Sequence, residues 1–417
     1  MSDRGDTVGA RNSGVLAIGK KILNGLCNRN NPQDPQCQSR LQELLCKAIK
    51  TCDLKTVKDL IDRGVEVNQP MILFSPVMGA TLNHDELSGN PLALGLAVRY
   101  AAIHEGSVNR FAPDRATLND REQTDRAEKS DDSLQIVICI LDCGANIEAV
   151  SRYADYTSHS VLMRCFFKAI QPDTAAPRKS RYIELATLLL NRGANAQATN
   201  DAGMQSIHCA AALGDIALYD LTQSLGASPG ALDARGRSAL LHAVSNEHRE
   251  LAVHALRSFN NAAQGDHQNR TPMEWAAMQG DVALCDALLG CGAQIDSCSH
   301  FGSTPLHQAA RKGHTSTCLY LLDHGATIDC VNRKQQTPLH LAAQNGDGDT
   351  CSLLVLRLAN VHALDECGRT AKGVARDSGE SHIGPLIDAC LNVAQARVAI
   401  DDLLAQHAKA ALPGCLK

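Results

Sequence analysis

Aromatic residues are scarce in this sequence. They make up 3% of 417 residues, with a single tryptophan. A core with so few rings must be filled by Leu, Ala, Val, Ile and Cys, as in stacked helices. Charge of one sign is also lacking: the net charge is −5, which excludes general attraction to nucleic acid or a membrane surface. No apolar run approaches the roughly 20 residues of a membrane-spanning helix. The opening stretch, MSDRGDTVGARNSG, has neither the basic start nor the apolar core of a secretory signal. Its acids also argue against a transit peptide. There is no C-x-x-C pair among 17 cysteines; an odd, scattered set points to reduced thiols in cytoplasm or nucleus. G-x-G-x-x-G, G-x-x-x-x-G-K-[ST] and H-E-x-x-H are all absent, so no enzyme is expected.

What is present is a period. Gln205, Ser238, Thr271, Thr304, Thr337 and Thr370 lie 33 residues apart without drift. The copies read QSIHCAA, SALLHAV, TPMEWAA, TPLHQAA, TPLHLAA and TAKGVAR. Nine residues after these anchors come Gly214, Gly280, Gly313, Gly346 and Gly379, and 21 after come Gly226, Gly292 and Gly325. A fixed period in this range signals a solenoid.

The chemistry of the period explains itself locally. A threonine at a helix start accepts a bond from a free backbone N–H. Proline beside it sits where its missing donor costs nothing. The alanine pair permits close helix approach. The glycines break the chain between helices and suit the left-handed position after the second helix. Helices of two or three turns cannot stand alone, so neighbouring copies must cover them.

With D-x-x-G-x-T-P-L-H-x-A-A and G-A on the page, the chain resembles the ankyrin repeat family, most strongly from Gly193 to Gly379. The resemblance implies an all-α repeat: a solenoid of paired antiparallel helices with β-hairpin-like loops. Weaker copies lie upstream, at Leu44–Asn68, at Asn90-Pro91-Leu92 with Cys143-Gly144-Ala145, and at Ser160-Val161-Leu162 with Arg192-Gly193-Ala194, giving about nine repeats. Glu247 replaces a mid-repeat glycine, and Phe259-Asn260 and Leu358-Ala359 replace the Gly-Ala turn, so distorted turns are expected there.

The expected organisation is a tail with a capping helix over 1–40, the array over 41–392 and a helical tail over 393–417. The capping helix rests on a stripe of Val15, Ile18, Ile22 and Leu26. Insertions are expected near 71–87, 101–132 and 170–181. The charged stretches 101–132 and 171–180 are expected as mobile loops, and the apolar 71–87 as packed on the array. The ending ALPGCLK is similar to the end of a ubiquitin-ligase-recruiting box, but that box's Leu-Cys-Arg element is absent.

Cys285, Cys318 and Cys351 form a column 33 apart, read as core packing rather than a metal or redox ladder. Cys298, His300 and Cys330 do not follow a zinc spacing. His307 and His340 hold the family's structural histidine position. No cofactor and no metal are expected.

The resemblance also implies a partner surface on the concave side, at positions four, three and one before each anchor and seven and eight after it. In the four central copies these include Arg235, Arg237, His267, Arg270, Met278, His300, Phe301, Arg311, Lys312, Arg333 and Lys334. Of the 20 residues so placed, seven are Lys or Arg and none is acidic. The expected function is a non-enzymatic, monomeric scaffold that binds protein, through an acidic segment docking there, with Phe301 and Met278 as apolar anchors. No nucleic acid or membrane partner is expected. The alternatives are an adaptor presenting a client to an enzyme such as a ubiquitin ligase, or a pathogen effector.

Overall fold

The computed structural model describes residues 35–68, 93–104, 134–148, 150–152, 158–172 and 174–410. The expected capping helix at 15–26, the insertion at 71–87, residues 105–132 and the ending ALPGCLK lie outside them. The chain divides into two units, Met1–Asp201 and Ala202–Lys417.

Among the described residues, the first unit contains three helix pairs: α1 (Pro35–Lys50) with α2 (Leu54–Asp62), α3 (Ala93–His104) with α4 (134–142), and α5 (Val161–Ile170) with α6 (Ala176–Asn191). A short antiparallel hairpin, β1 (Val150–Arg152) and β2 (Ser158–Ser160), precedes α5. Leu45, Leu60, Leu94, Ile140, Leu162 and Leu185 are fully buried in it. Two expectations change here. Residues 101–104 close α3, and residues 176–180 form the first turns of α6, with Pro177 in a position where its missing N–H is harmless.

The interruptions do not break the repeat's geometry. Asn146 N donates to Asn68 Oδ1 at 2.6 Å, and Asn195 N to Glu148 Oε1 at 2.6 Å. In the second unit Thr327 N donates to Asp296 and Asn360 N to Asp329, each across 31 residues. The same bond spans 78 residues from Asn68 and 47 from Glu148. The insertions thus add 47 and 16 residues (78 − 31 and 47 − 31) while the polar bridge between successive turns is kept.

The second unit contains six pairs: α7 (Ser206–Leu213) with α8 (Ile216–Ser224), α9 (Ala239–Ser245) with α10 (Arg249–Ser258), α11 (Pro272–Gln279) with α12 (Val282–Gly290), α13 (Pro305–Lys312) with α14 (Thr315–Asp323), α15 (Pro338–Asn345) with α16 (Gly348–Leu356), and α17 (Ala371–Asp377) with α18 (Ile383–Ala410). First helices stack in one row from α7 to α17, and second helices in another from α10 to α18. The alanine pairs, such as Ala276-Ala277 and Ala309-Ala310, are 0% exposed where the rows meet. Cys285, Cys318 and Cys351 are equally buried in the second row, and burial pushes their thiols up to about 12. They are packing groups.

Caps follow the motif. The hydroxyls of Ser238, Thr271 and Thr370 accept from the amides of Leu241, Glu274 and Gly373. Gly280 and Gly313 end their helices at φ 79° and 73°, and a Cβ on Gly280 would meet the His314 ring at 2.8 Å. Glu247 and Leu358 keep the left-handed backbone of the glycines they replace, at φ 65° and 67°. Phe259 does not: it is extended, at φ −154°, and that turn is reshaped.

The final helix starts at Ile383 and runs 28 residues. Contrary to the expectation from sequence, its segment Ile383–Ile400 is long and apolar enough to cross a membrane by length and composition, at mean hydropathy 1.2. Ile383, Ile387 and Ala394 bury one face of it against the array, while Val393 and Ile400 stay exposed at 60% and 56%.

Leu358 is 62% exposed, so its side chain contributes little packing against the strain of its positive φ. Replacing Leu358 by Gly is expected to raise unfolding stability by about 1 kcal/mol. Urea denaturation checks this; a loss of stability would show that the leucine's contacts outweigh the strain.

Candidate partner-binding surface

Each hairpin of the second unit is a turn spanning the four residues before an anchor's immediate predecessor. The residue five before the anchor bonds the backbone of the residue one before it: Asp233 N donates to Arg237 O, Asp266 N to Arg270 O, and Asn332 N to Gln336 O, at 3.0–3.1 Å. The position two before the anchor has positive φ. It is Gly203, Gly236, Gly302 and Gly368 in four copies and Asn269 and Gln335 in two. One backbone bond joins each tip to the next: His267 N to Arg235 O, His300 N to Gln268 O, Arg333 N to Phe301 O and Glu366 N to Lys334 O, at 2.8–3.0 Å.

Buried polar side chains hold these turns from inside. One Asp233 oxygen accepts from the amides of Arg235 and Arg237, and the other from Arg237 Nε and His242 Nε2, at 2.8–2.9 Å. Burial would raise this carboxyl; the His242 bond, the two amides and the Arg237 charge outweigh it and hold the group well below the usual carboxylate range. Asp266 takes the same bonds from Gln268 and Arg270, and Asp365 from Cys367 and Arg369.

This divides the predicted site residues. Arg237 and Arg270 are tied to buried carboxylates, and Arg270 also lies over the Trp275 ring at 5.1 Å. Their charges are already paired within the turns, whatever else their exposed parts meet. Arg235, Lys312, Arg333 and Lys334 are exposed and make no ion pair among the described residues. Phe301 is 60% exposed, with exposed His300 beside it and exposed His267 on the neighbouring tip. Met278 is half-buried on its helix, where its carbonyl accepts from His314 Nε2 at 3.0 Å. Arg311 is exposed and donates to Gln308. The sequence signal for the paired arginines was present: an aspartate four residues earlier accompanies Arg237, Arg270 and Arg369.

Behind the tips runs a column of buried histidines. Thr304 N donates to His307 Nδ1 at 3.2 Å, and His307 Nε2 donates to Gln336 O of the next copy at 3.0 Å. His340 makes the equivalent bonds, to Thr337 N and Arg369 O, while His208 accepts from Gln205 N and donates to Ala231 O, six residues short of the equivalent carbonyl. Accepting at Nδ1 and donating at Nε2 fixes one tautomer of the His307 ring, and burial lowers its affinity for a second proton. Burial lowers His208 to about 4. Glu274 stands at this position in the fourth of the six anchored copies counted back from Thr370. It is 4% exposed, accepts from Gln308 Nε2 at 2.6 Å and leaves Oε2 without a partner. Burial raises it to about 7, although the Gln308 bond opposes the shift.

The family model for ankyrin repeats, in three copies, matches residues 207–297 and 273–365, the stretch in which these hairpins and helix pairs recur. Residues 207–365 carry ankyrin repeats. No curated protein matches it. Ankyrin repeats are in general protein–protein interaction modules, and proteins built from them are typically not enzymes. Among the described residues of this ankyrin-repeat chain, no three His, Cys, Asp or Glu side chains are placed to hold a metal ion.

Arg270→Ala is expected to cost about 2 kcal/mol in urea unfolding by leaving Asp266 buried and under-bonded. Arg333→Ala is expected to change stability by less than about 0.5 kcal/mol. Equal effects would contradict the division above. The pH dependence has a definite sign. The His208 ring holds a proton less tightly folded than unfolded, so its contribution is lost as pH falls from about 6.5 to about 4, by about 3 kcal/mol. Glu274 acts in the opposite sense: its raised folded value makes stability fall as pH rises from about 4.5 to about 7. In unfolding titrations His208→Gln should flatten the acid limb, and Glu274→Gln the neutral one.

Proposed function

We propose that this chain is a non-enzymatic scaffold whose second unit docks a partner protein through an acidic segment. The observation that supports this most directly is the set of exposed cations that the fold leaves unpaired: Arg235, Lys312, Arg333 and Lys334, around the exposed ring of Phe301. The repeat motif does not require any of them. Unpaired surface cations steer acidic partners and set their register, and an exposed aromatic ring at the centre supplies the apolar contact. A location in cytoplasm or nucleus goes with this reading, supported by the free thiols packed within the helix pairs. The chain acts as a monomer and does not bind nucleic acid.

A second reading is favoured by the last helix. Val393 and Ile400 are exposed on α18, which gives an adaptor the second docking element it needs. Such an adaptor presents the client bound on the hairpins to an enzyme, such as a ubiquitin ligase.

The test is capture from source-cell lysate with wild type and with a variant carrying Arg311→Glu, Lys312→Glu, Arg333→Glu and Lys334→Glu. The wild type is expected to retain a partner that the variant loses. Unchanged capture of every partner overturns the reading. Deleting residues 393–417 separates scaffold from adaptor: an adaptor keeps its client and loses the enzyme.

A further inference from the structure

The hairpin arms carry a pattern that the repeat motif leaves unexplained. Six residues before four of the anchors stand Leu232, Cys298, Val331 and Leu364, all exposed, the three aliphatic ones at 46%, 48% and 57%; the copy anchored at Thr271 has Gly265 there. The next residue along each arm turns inward: Asp233, Ser299 and Asp365 are buried and Asn332 half-buried. The tips that follow are exposed again, with Arg235, His300-Phe301 and Arg333-Lys334. An apolar row, interrupted at Gly265, therefore runs beside tips that carry exposed cations at the two ends, Arg235 and Arg333-Lys334, with His267 and His300-Phe301 between them. Single exposed aliphatic residues are ordinary, but Cys298, Val331 and Leu364 recur at one register position in successive copies beside an exposed ring, which makes a strip.

The strip is held rigid. The Oδ1 atoms of Asp233, Asp266 and Asn332 each accept from two amides of their own turn. One backbone bond ties every tip to the next. Ordering costs on binding then fall on the partner alone.

Its pitch sets the partner's form. Crossing a tip takes about 3.8 Å between consecutive Cα atoms and crossing a bonded junction about 5 Å, so each repeat advances the strip by roughly 9 Å. That is close to three residues of extended chain. Arg235 to Lys334 is three such steps between four tips, about eight extended residues, or about ten with one residue beyond each end. Glu366 on the following tip is exposed and ends the positive run.

We infer that the docking track is this strip and that its ligand is an extended acidic segment of a partner protein, about ten residues long, with bulky apolar side chains interleaved among its acids. The acids meet Arg235, Arg333 and Lys334, and the apolar side chains meet Phe301 and the Val331 row. A nucleic acid fits less well, because the aliphatic row has nothing to offer phosphates and a single ring is not a stacking platform. The inference rests on the acidic-partner reading above and narrows it.

The test is selection of a displayed library of random decamers on the full-length chain, followed by anisotropy titration of the enriched peptides. Enriched peptides are expected to be acidic with interleaved apolar residues. Phe301→Ala, and separately Arg333→Glu with Lys334→Glu, should weaken them by about tenfold or more. Arg311→Glu with Lys312→Glu, on the helix, should weaken them by less than about threefold. Thermal unfolding of each variant confirms that these exposed changes leave the fold intact. No enrichment, enrichment of neutral or basic peptides, affinity indifferent to Phe301→Ala, or equal affinity for a ten-nucleotide single strand would each overturn the inference. If the lysate capture still fails with the fourfold charge reversal, only the extended-segment inference is lost. If capture is unchanged, the acidic-partner reading goes with it.

Discussion

A helix of seven or eight residues returns too few hydrogen bonds to offset the cost of starting it. Every first helix from α7 to α17 is that short. Each therefore persists only because apolar groups on it, down to the alanine pairs, are buried between neighbours. Lateral burial is the constraint from which the rest follows: the 33-residue period, the scarcity of rings and the small thiols in the second row. Large side chains would hold the helices apart, and a change of period would carry the buried stripe off its neighbour.

Burial alone does not choose which neighbour a repeat stacks on, or in what register. Directional bonds do that. The buried histidines reach from one copy to a carbonyl of the next, the tips share one backbone bond per junction, and acids or amides after the second helix receive an amide of the following turn. These bonds join fixed register positions. An insertion can therefore leave between them and return, as the 47 extra residues before Asn146 do. Closure of a longer loop adds only slowly to the entropic cost. Glu274 is the local exception: a buried acid in a histidine's place gives that junction a different bond and a different response to pH.

The same accounting separates scaffold from surface. Positions consumed by the stack are the capping hydroxyls, the histidines, the aspartates under the turns and the arginines paired to them. What remains exposed on the arms is what a partner can meet. Specificity in such an array is carried by residues that contribute little to its stability.

The period, the caps, the paired helices and the buried cysteine column were legible from spacing alone, because each is a local rule repeated. Leu358 and Glu247 were visible as departures, but not that the backbone would keep its left-handed shape around them while the turn at Phe259 would not. The candidate site was half legible. Arg333, Lys334 and Phe301 could be placed on exposed tips by register. Arg237 and Arg270 were counted with them, although each closes on an aspartate four residues earlier once the turn forms. The sequence by itself determined a repeat of short helices that must stack, since periodicity and capping act within a few residues. Only the tertiary structure decided which charges are spent inside the turns and which face outward, because that depends on burial and on bonds between side chains brought together by the turn and the next repeat.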